Sequence, residues 1–269
     1  MLKTRLLTAL ILIPIFIFLV LKLSNIAFAL LTAFFVLLGA YEWARFMGLQ
    51  KKSQRFCYVF LIFLGMKFSL SVFIPYALIV TLVWWLVAFV MVVSYPKGHE
   101  RWSQSLFLRG LMGVMVLIPA WIAINFIRLN ENGPIILLYL CVLIWGADSG
   151  AYFAGRQWGK TKLAPAVSPG KTREGFYGAL FTTILIAFIG MQWDIVAAPL
   201  WVVMALALAT VLFSVLGDLF ESMMKRNVGL KDSGNVFPGH GGLLDRIDSL
   251  TAAAPVFAYG YLLVLKFFH

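Results

Sequence analysis

Residues 56 to 95 read FCYVFLIFLGMKFSLSVFIPYALIVTLVWWLVAFVMVVSY, with Lys67 as their only charge. A helix crosses the hydrocarbon core of a bilayer with about 20 apolar residues. The stretch is therefore either one interrupted span or two, and the choice sets the sidedness of everything after it. Apolar runs of spanning length recur at 6 to 21, 26 to 44, 56 to 74, 76 to 95, 110 to 127, 135 to 154, 175 to 192, 195 to 216 and 249 to 268. Counted this way there are nine spans. With the N-terminus in the cytoplasm, 18 of the 22 Lys and Arg then fall on the cytoplasmic side, and only Lys22, Arg128 and Lys266 fall outside. Merging 56 to 95 into one span would leave 13 outside and 8 inside, against the rule that Lys and Arg are retained in cytoplasmic loops. The expected architecture is all-α, a polytopic integral membrane protein of about nine transmembrane helices with a cytoplasmic N-terminus.

Composition agrees with that class. The chain of 269 residues is 62% hydrophobic and 12% charged, with a mean hydropathy of +0.93, outside the range of soluble domains. The opening MLKTRLLTALILIPIFIFLVL has the basic start of a secretory signal but no small-x-small cleavage site, so it reads as a retained first span. A net charge of +11 follows from the retained basic loops and does not call for a nucleic-acid partner. Cys57 and Cys141 lie in apolar runs without CxxC spacing, which supports neither a disulfide framework nor a zinc site. The reading is one membrane domain, with N-terminal transmembrane helices over 1–100 and a C-terminal transmembrane region over 101–269, where chemistry is to be sought. The latter carries the two longest irregular segments, 155–174 and 226–248, both expected on the cytoplasmic side.

The acids gather there. Of 11 acidic residues, Asp148, Glu174, Asp218, Glu221, Asp232, Asp245 and Asp248 belong to those segments or to the run ends leading into them. An ionised carboxylate inside a span is costly, so acids near span ends need pairing, hydration or a metal. Asp218 and Glu221 are three apart, as are Asp245 and Asp248, which puts each pair on one face of a continuing helix. Two such pairs make a hard-oxygen set suited to Mg²⁺. They equally suit a salt-bridge network with Lys225, Arg226, Lys231 and Arg246, and spacing alone leaves both open.

The loop GRQWGKTKLAPAVSPGKTREG, 155 to 175, carries Gly-Lys-Thr twice but meets the GxxxxGK[ST] phosphate-loop spacing at neither. It reads as a flexible Gly, Ser, Pro and Lys-rich segment able to hold phosphates, or as a solvated basic loop. His240 stands among Gly239, Gly241 and Gly242, where a ligand can approach the backbone closely; a turn histidine is the alternative.

SMMKRNVGLKDSGNVFPGHGGLLDRID, 222 to 248, resembles the signature of the phosphatidate cytidylyltransferases, also called CDP-diacylglycerol synthases. The pattern is Ser, Lys-Arg, Lys-Asp, Pro-x-His-Gly-Gly and Asp-Arg-x-Asp, and it is met without departure. DSGAYFAGRQWGK and SPGKTREG upstream are similar to the family as well, whereas residues 1 to about 100 resemble it only in being apolar. The resemblance implies transfer of CMP from CTP to phosphatidate, giving CDP-diacylglycerol and pyrophosphate in phospholipid biosynthesis. It also implies dependence on Mg²⁺, with a second cation left open, a site open to cytoplasm and membrane, and a homodimer. A bacterial cytoplasmic (inner) membrane is the expected location. Under that reading Asp218, Asp245 and Asp248 are metal ligands, with Asp148 and Glu221 as further ligands. Lys225 and Arg246 act on the reacting phosphates. Lys160, Ser168, Lys171, Thr172, Arg173, Arg226, Lys231, His240, Gly241 and Gly242 surround the nucleotide.

Three other classes compete. A CTP-dependent lipid-alcohol kinase would lack the Pro-x-His-Gly-Gly and Asp-Arg-x-Asp run. A CDP-alcohol phosphotransferase would carry an Asp-Gly-x-x-Ala-Arg signature, which is absent. A transporter would place its charges near the midplane on broken helices, not at span ends.

Overall fold

The computed structural model describes residues 13–236 and 241–268. In chain order these form α1 (Ile13–Lys22), α2 (Asn25–Phe46), α3 (Lys52–Ser69), α4 (Ile74–Ser94), the short α5 (Glu100–Ser103), α6 (Leu106–Leu129) and α7 (Gly133–Trp158). A hairpin of β1 (Lys162–Ala164) and β2 (Ser168–Thr172) follows, then α8 (Arg173–Gln192), α9 (Leu200–Asn227) and α10 (Leu244–Phe268). Helices satisfy their own backbone groups, which is what a segment in lipid requires. Their starts are marked chemically: Ser24, Ser105 and Thr172 cap α2, α6 and α8 by accepting from the amides of Ala27, Leu108 and Gly175.

The stretch 56 to 95 is two helices. A turn at 70–73 separates α3 from α4, so the stretch is not one continuous helix. Among the described residues seven helices are long and apolar enough to cross a membrane: α2, α4, α6, α7, α8, α9 and α10. The other two expected spans do not reach that standard. The first, 6 to 21, falls partly outside the described residues, where α1 is its described part. The third is α3, whose 18 residues include Lys52, Arg55 and Lys67.

The expected irregular segments are shorter than the sequence suggests, because helices run on past their apolar stretches. α7 continues to Trp158 and α9 to Asn227, while α10 begins at Leu244. Asp148, Asp218, Asp245 and Asp248 therefore all stand on helices. The rest of the 155–174 segment is mostly the antiparallel hairpin, with Lys162 opposite Thr172 and Ala164 opposite Ser168.

The helix ends expected on one side do converge. Arg45 at the end of α2 donates to the Ser233 carbonyl before α10, and Arg109 of α6 to the Phe46 carbonyl. At the opposite end Arg128 donates to the Leu23 carbonyl and to Asn25. Phe220 of α9 sits between Trp43 of α2 and Trp85 of α4, with ring centroids 6.4 and 5.7 Å away. That aromatic cluster fixes how α9 is rotated, and so where Asp218 and Glu221 point.

Candidate active site

Two close helix contacts build the site. A side chain at Gly217 would put its Cβ 2.5 Å from the Asp248 carbonyl oxygen and 2.9 Å from Ala252. α9 and α10 therefore touch backbone to backbone at this point, as small residues permit. The contact brings Asp218 and Asp248 within electrostatic range of each other. α7 meets α8 in the same manner, where a Cβ on Gly150 would lie 2.8 Å from the Gly178 carbonyl. Asp148 thereby comes within range of both Asp218 and Lys171.

Lys171 reaches in from β2, with Nζ 2.7 Å from Asp218 Oδ2, and the Ser222 hydroxyl donates to Asp218 Oδ1 at 3.3 Å. Around this pair lies a cavity of about 450 Å³ lined by Asp148, Tyr152, Arg156, Lys171, Thr172 and Asp218 among others, a volume in the small-ligand range. Strong charges of both signs meet in one concave site at the hairpin end of the bundle.

A second group adjoins it. Lys225 Nζ lies 2.6 Å from Asp245 Oδ1 and 3.2 Å from Glu221 Oε1, with all three side chains nearly buried. Asp245 Oδ2 also accepts from the Ser233 amide, the Ser233 hydroxyl and the Gly242 amide at 2.9, 2.9 and 2.8 Å. Glu42 completes the group from α2. It is 2% exposed and accepts from the Ser233 hydroxyl and the amides of Leu243 and Leu244, each at 2.9 Å. One serine hydroxyl thus lies between two carboxylates, and with a single proton it donates to one of them at a time. Asp248 links the two groups, being in electrostatic range of Asp218, Lys171 and Lys225 and of Glu221.

The structure sorts the residues expected from sequence. Asp148, Asp218, Lys171 and Thr172 line the cavity. Thr172 also caps α8. Glu221, Lys225, Asp245 and Gly242 form the adjoining network, and Gly241 turns the chain into it with φ +83°, a backbone conformation that suits glycine. Ser168 starts β2 opposite Ala164. Lys160, Arg173, Arg226, Lys231 and Arg246 are exposed at this end of the bundle and do not line the cavity. His240 lies outside the described residues. Sequence reasoning missed Arg156 and Tyr152 in the cavity, and Glu42, Arg45 and Ser233 in the network. Glu42 carried a signal: it is an acid inside the apolar run 26 to 44, and an ionisable group in a span marks function or a buried partner.

For a magnesium ion the donor chemistry fits. Asp148, Asp218 and Asp248 offer carboxylate oxygens, whereas Glu221 Oε1 is already paired with Lys225 Nζ at 3.2 Å. Among the described residues no three His, Cys, Asp or Glu are arranged to enclose an ion by themselves. Mg²⁺ is commonly held by one or two carboxylates together with substrate phosphates, so the set suits an ion that arrives with a nucleotide. Asp245 differs, since both its oxygens already receive donors.

Comparison with known proteins follows the same lines. Residues 3–264 match the cytidylyltransferase family. A protein of Haemophilus influenzae named phosphatidate cytidylyltransferase is 40% identical over 290 residues, covering 98% of this chain and all of the relative. One of the same name from Pseudomonas aeruginosa is 42% identical over 261 residues, 96% of each chain. A Bacillus subtilis protein, again of that name, is 44% identical over 128 residues, 48% of each.

Proposed function

The chain belongs to the cytidylyltransferase family and is a multi-pass membrane nucleotidyltransferase, and from that premise we propose that it transfers CMP from CTP to phosphatidate. Its near full-length relatives carry the name of that activity. The observation that carries the reading is the cavity in which Asp148, Asp218 and Lys171 meet, with Asp248 adjoining. We further propose that this end of the bundle faces the cytoplasm of a bacterial inner membrane. CTP is then supplied from the aqueous side and phosphatidate from the leaflet, and the convergence of the basic helix ends supports that orientation.

In the proposed reaction an oxygen of the phosphatidate phosphate attacks the α-phosphorus of CTP. The bond from that phosphorus to the β-bridging oxygen breaks, and pyrophosphate leaves. No enzyme nucleophile is needed, so catalysis is positioning and charge neutralisation. Lys171 and Arg156 offset phosphate charge within the cavity. Asp218 and Asp248, with Asp148 beside them, would hold Mg²⁺. Bound there with the nucleotide, the ion would neutralise charge on the triphosphate oxygens. Lys225, Asp245, Ser233 and Glu42 hold the α9 and α10 segments that carry those acids.

The test is stoichiometric. The purified protein with CTP, Mg²⁺ and phosphatidate should release one pyrophosphate per lipid product. Release of CDP, or pyrophosphate release that does not depend on phosphatidate, would refute the assignment.

A further inference from the structure

A second cavity, about 570 Å³, runs along the outer side of the bundle between α4 and α9 and beneath the hairpin tip. Its walls are almost wholly apolar: Leu86, Phe89 and Val93 from α4, Leu212, Leu216 and Leu219 from α9, and Leu163 to Val167 from the hairpin. Leu86, Phe89, Val93 and Leu212 are 58, 53, 68 and 45% exposed, so this groove opens sideways to lipid. Three residues, Leu163, Phe176 and Val215, line both the groove and the charged cavity. An apolar trough open to the bilayer thus adjoins, across those three side chains, the cavity that holds Lys171 and Arg156.

That continuity selects the occupant. A ligand filling both spaces must have a hydrocarbon part at the α4 and α9 side and an anionic head on the Lys171 side. Resting on the function proposed above, we propose that the groove is the acyl-chain subsite for the phosphatidate acceptor. Phe176 and Val215 then form the divide across which its headgroup enters the cavity. Burial of each methylene gives apolar contact that a shorter chain forgoes, so the groove sets preference among acyl lengths as well as the direction of entry.

The experiment uses the full chain reconstituted in nanodiscs. A phosphatidate with a photoactivatable diazirine in its acyl chain is compared with a phosphatidylcholine carrying the same chain. Labelling of residues 86–95 or 212–219, at least about fivefold stronger from the phosphatidate, supports the subsite. Equal labelling by both lipids means ordinary bilayer lipid fills the groove, and labelling confined to other helices places the chains elsewhere; either overturns it. As a second readout, Leu212→Trp and Val93→Trp should lower the ratio of kcat/KM for dioleoyl over dihexanoyl phosphatidate by about tenfold. A ratio equal to that of the unsubstituted chain overturns it also. An unsubstituted chain that transfers CMP to neither lipid would sink the functional reading itself. A chain that transfers CMP but shows neither groove effect sinks only the subsite.

Discussion

The Glu42 carboxylate on α2 accepts the backbone amide of Leu244, the first residue of α10, at 2.9 Å across 202 positions of chain. With the Leu243 amide and the Ser233 hydroxyl on the same group, a helix from the N-terminal half caps the helix that carries Asp245 and Asp248. Removing an acceptor from buried amides leaves them unsatisfied, at about 1 to 3 kcal/mol each. Glu42→Ala should therefore lower thermal stability in detergent and cut kcat/KM for CTP at least about tenfold. Glu42→Gln, which keeps one oxygen acceptor, should fall between the two. Wild-type turnover by Glu42→Ala would remove the residue from the account.

Lys225 pairs with both Glu221 and Asp245. Deleting one member of a buried ion group leaves charge uncompensated, typically at about 3 to 5 kcal/mol. Lys225→Met should unfold at a markedly lower temperature, and adding Glu221→Gln should recover part of that loss without restoring turnover. A single variant with unchanged melting would contradict the buried network.

Asp218 and Asp245 separate by role. Asp218 borders the cavity beside Lys171, whereas both oxygens of Asp245 are engaged by Lys225, Ser233 and Gly242. Asp218→Asn should lower kcat by about a hundredfold or more and raise the Mg²⁺ concentration for half-maximal rate. Asp245→Asn should lower stability and leave that concentration near the wild-type value. Titrating the rate against Mg²⁺ for both variants makes the comparison.

Gly217 tests the helix contact that brings Asp218 to Asp248. A Cβ there meets backbone of α10 at 2.5 Å, which a rotamer change cannot relieve. Gly217→Val should separate α9 from α10 and abolish transfer even where the protein still inserts and purifies. Activity within twofold of wild type would show that the contact is not needed.

Much of this was legible before the fold was known. The apolar runs marked α2, α4 and α6 to α10 as helices long enough to cross a membrane, because a span needs only hydrophobicity, and the break at Pro75 and Tyr76 foreshadowed the separation of α3 from α4. The three-residue spacings put Asp218 with Glu221 and Asp245 with Asp248 on helices. Spacing could not apportion the acids between metal and lysine, because that depends on which helix packs on which. Lys171 pairs with Asp218 across more than forty residues of chain, and Glu42 reaches its amides across two hundred. The hairpin escaped because its strands are short and rich in Gly and Pro, and spacing could not tell that Arg156 lines the cavity while the exposed Arg226 and Lys231 do not.

The most direct measurement supplies the purified protein with phosphatidate, Mg²⁺ and CTP labelled at either the α- or the γ-phosphorus, then counts label in the lipid fraction. Transfer of CMP predicts α-label in lipid, γ-label only in pyrophosphate, and loss of both signals with Asp218→Asn. Label from the γ-position appearing in lipid would mark a kinase and contradict the account.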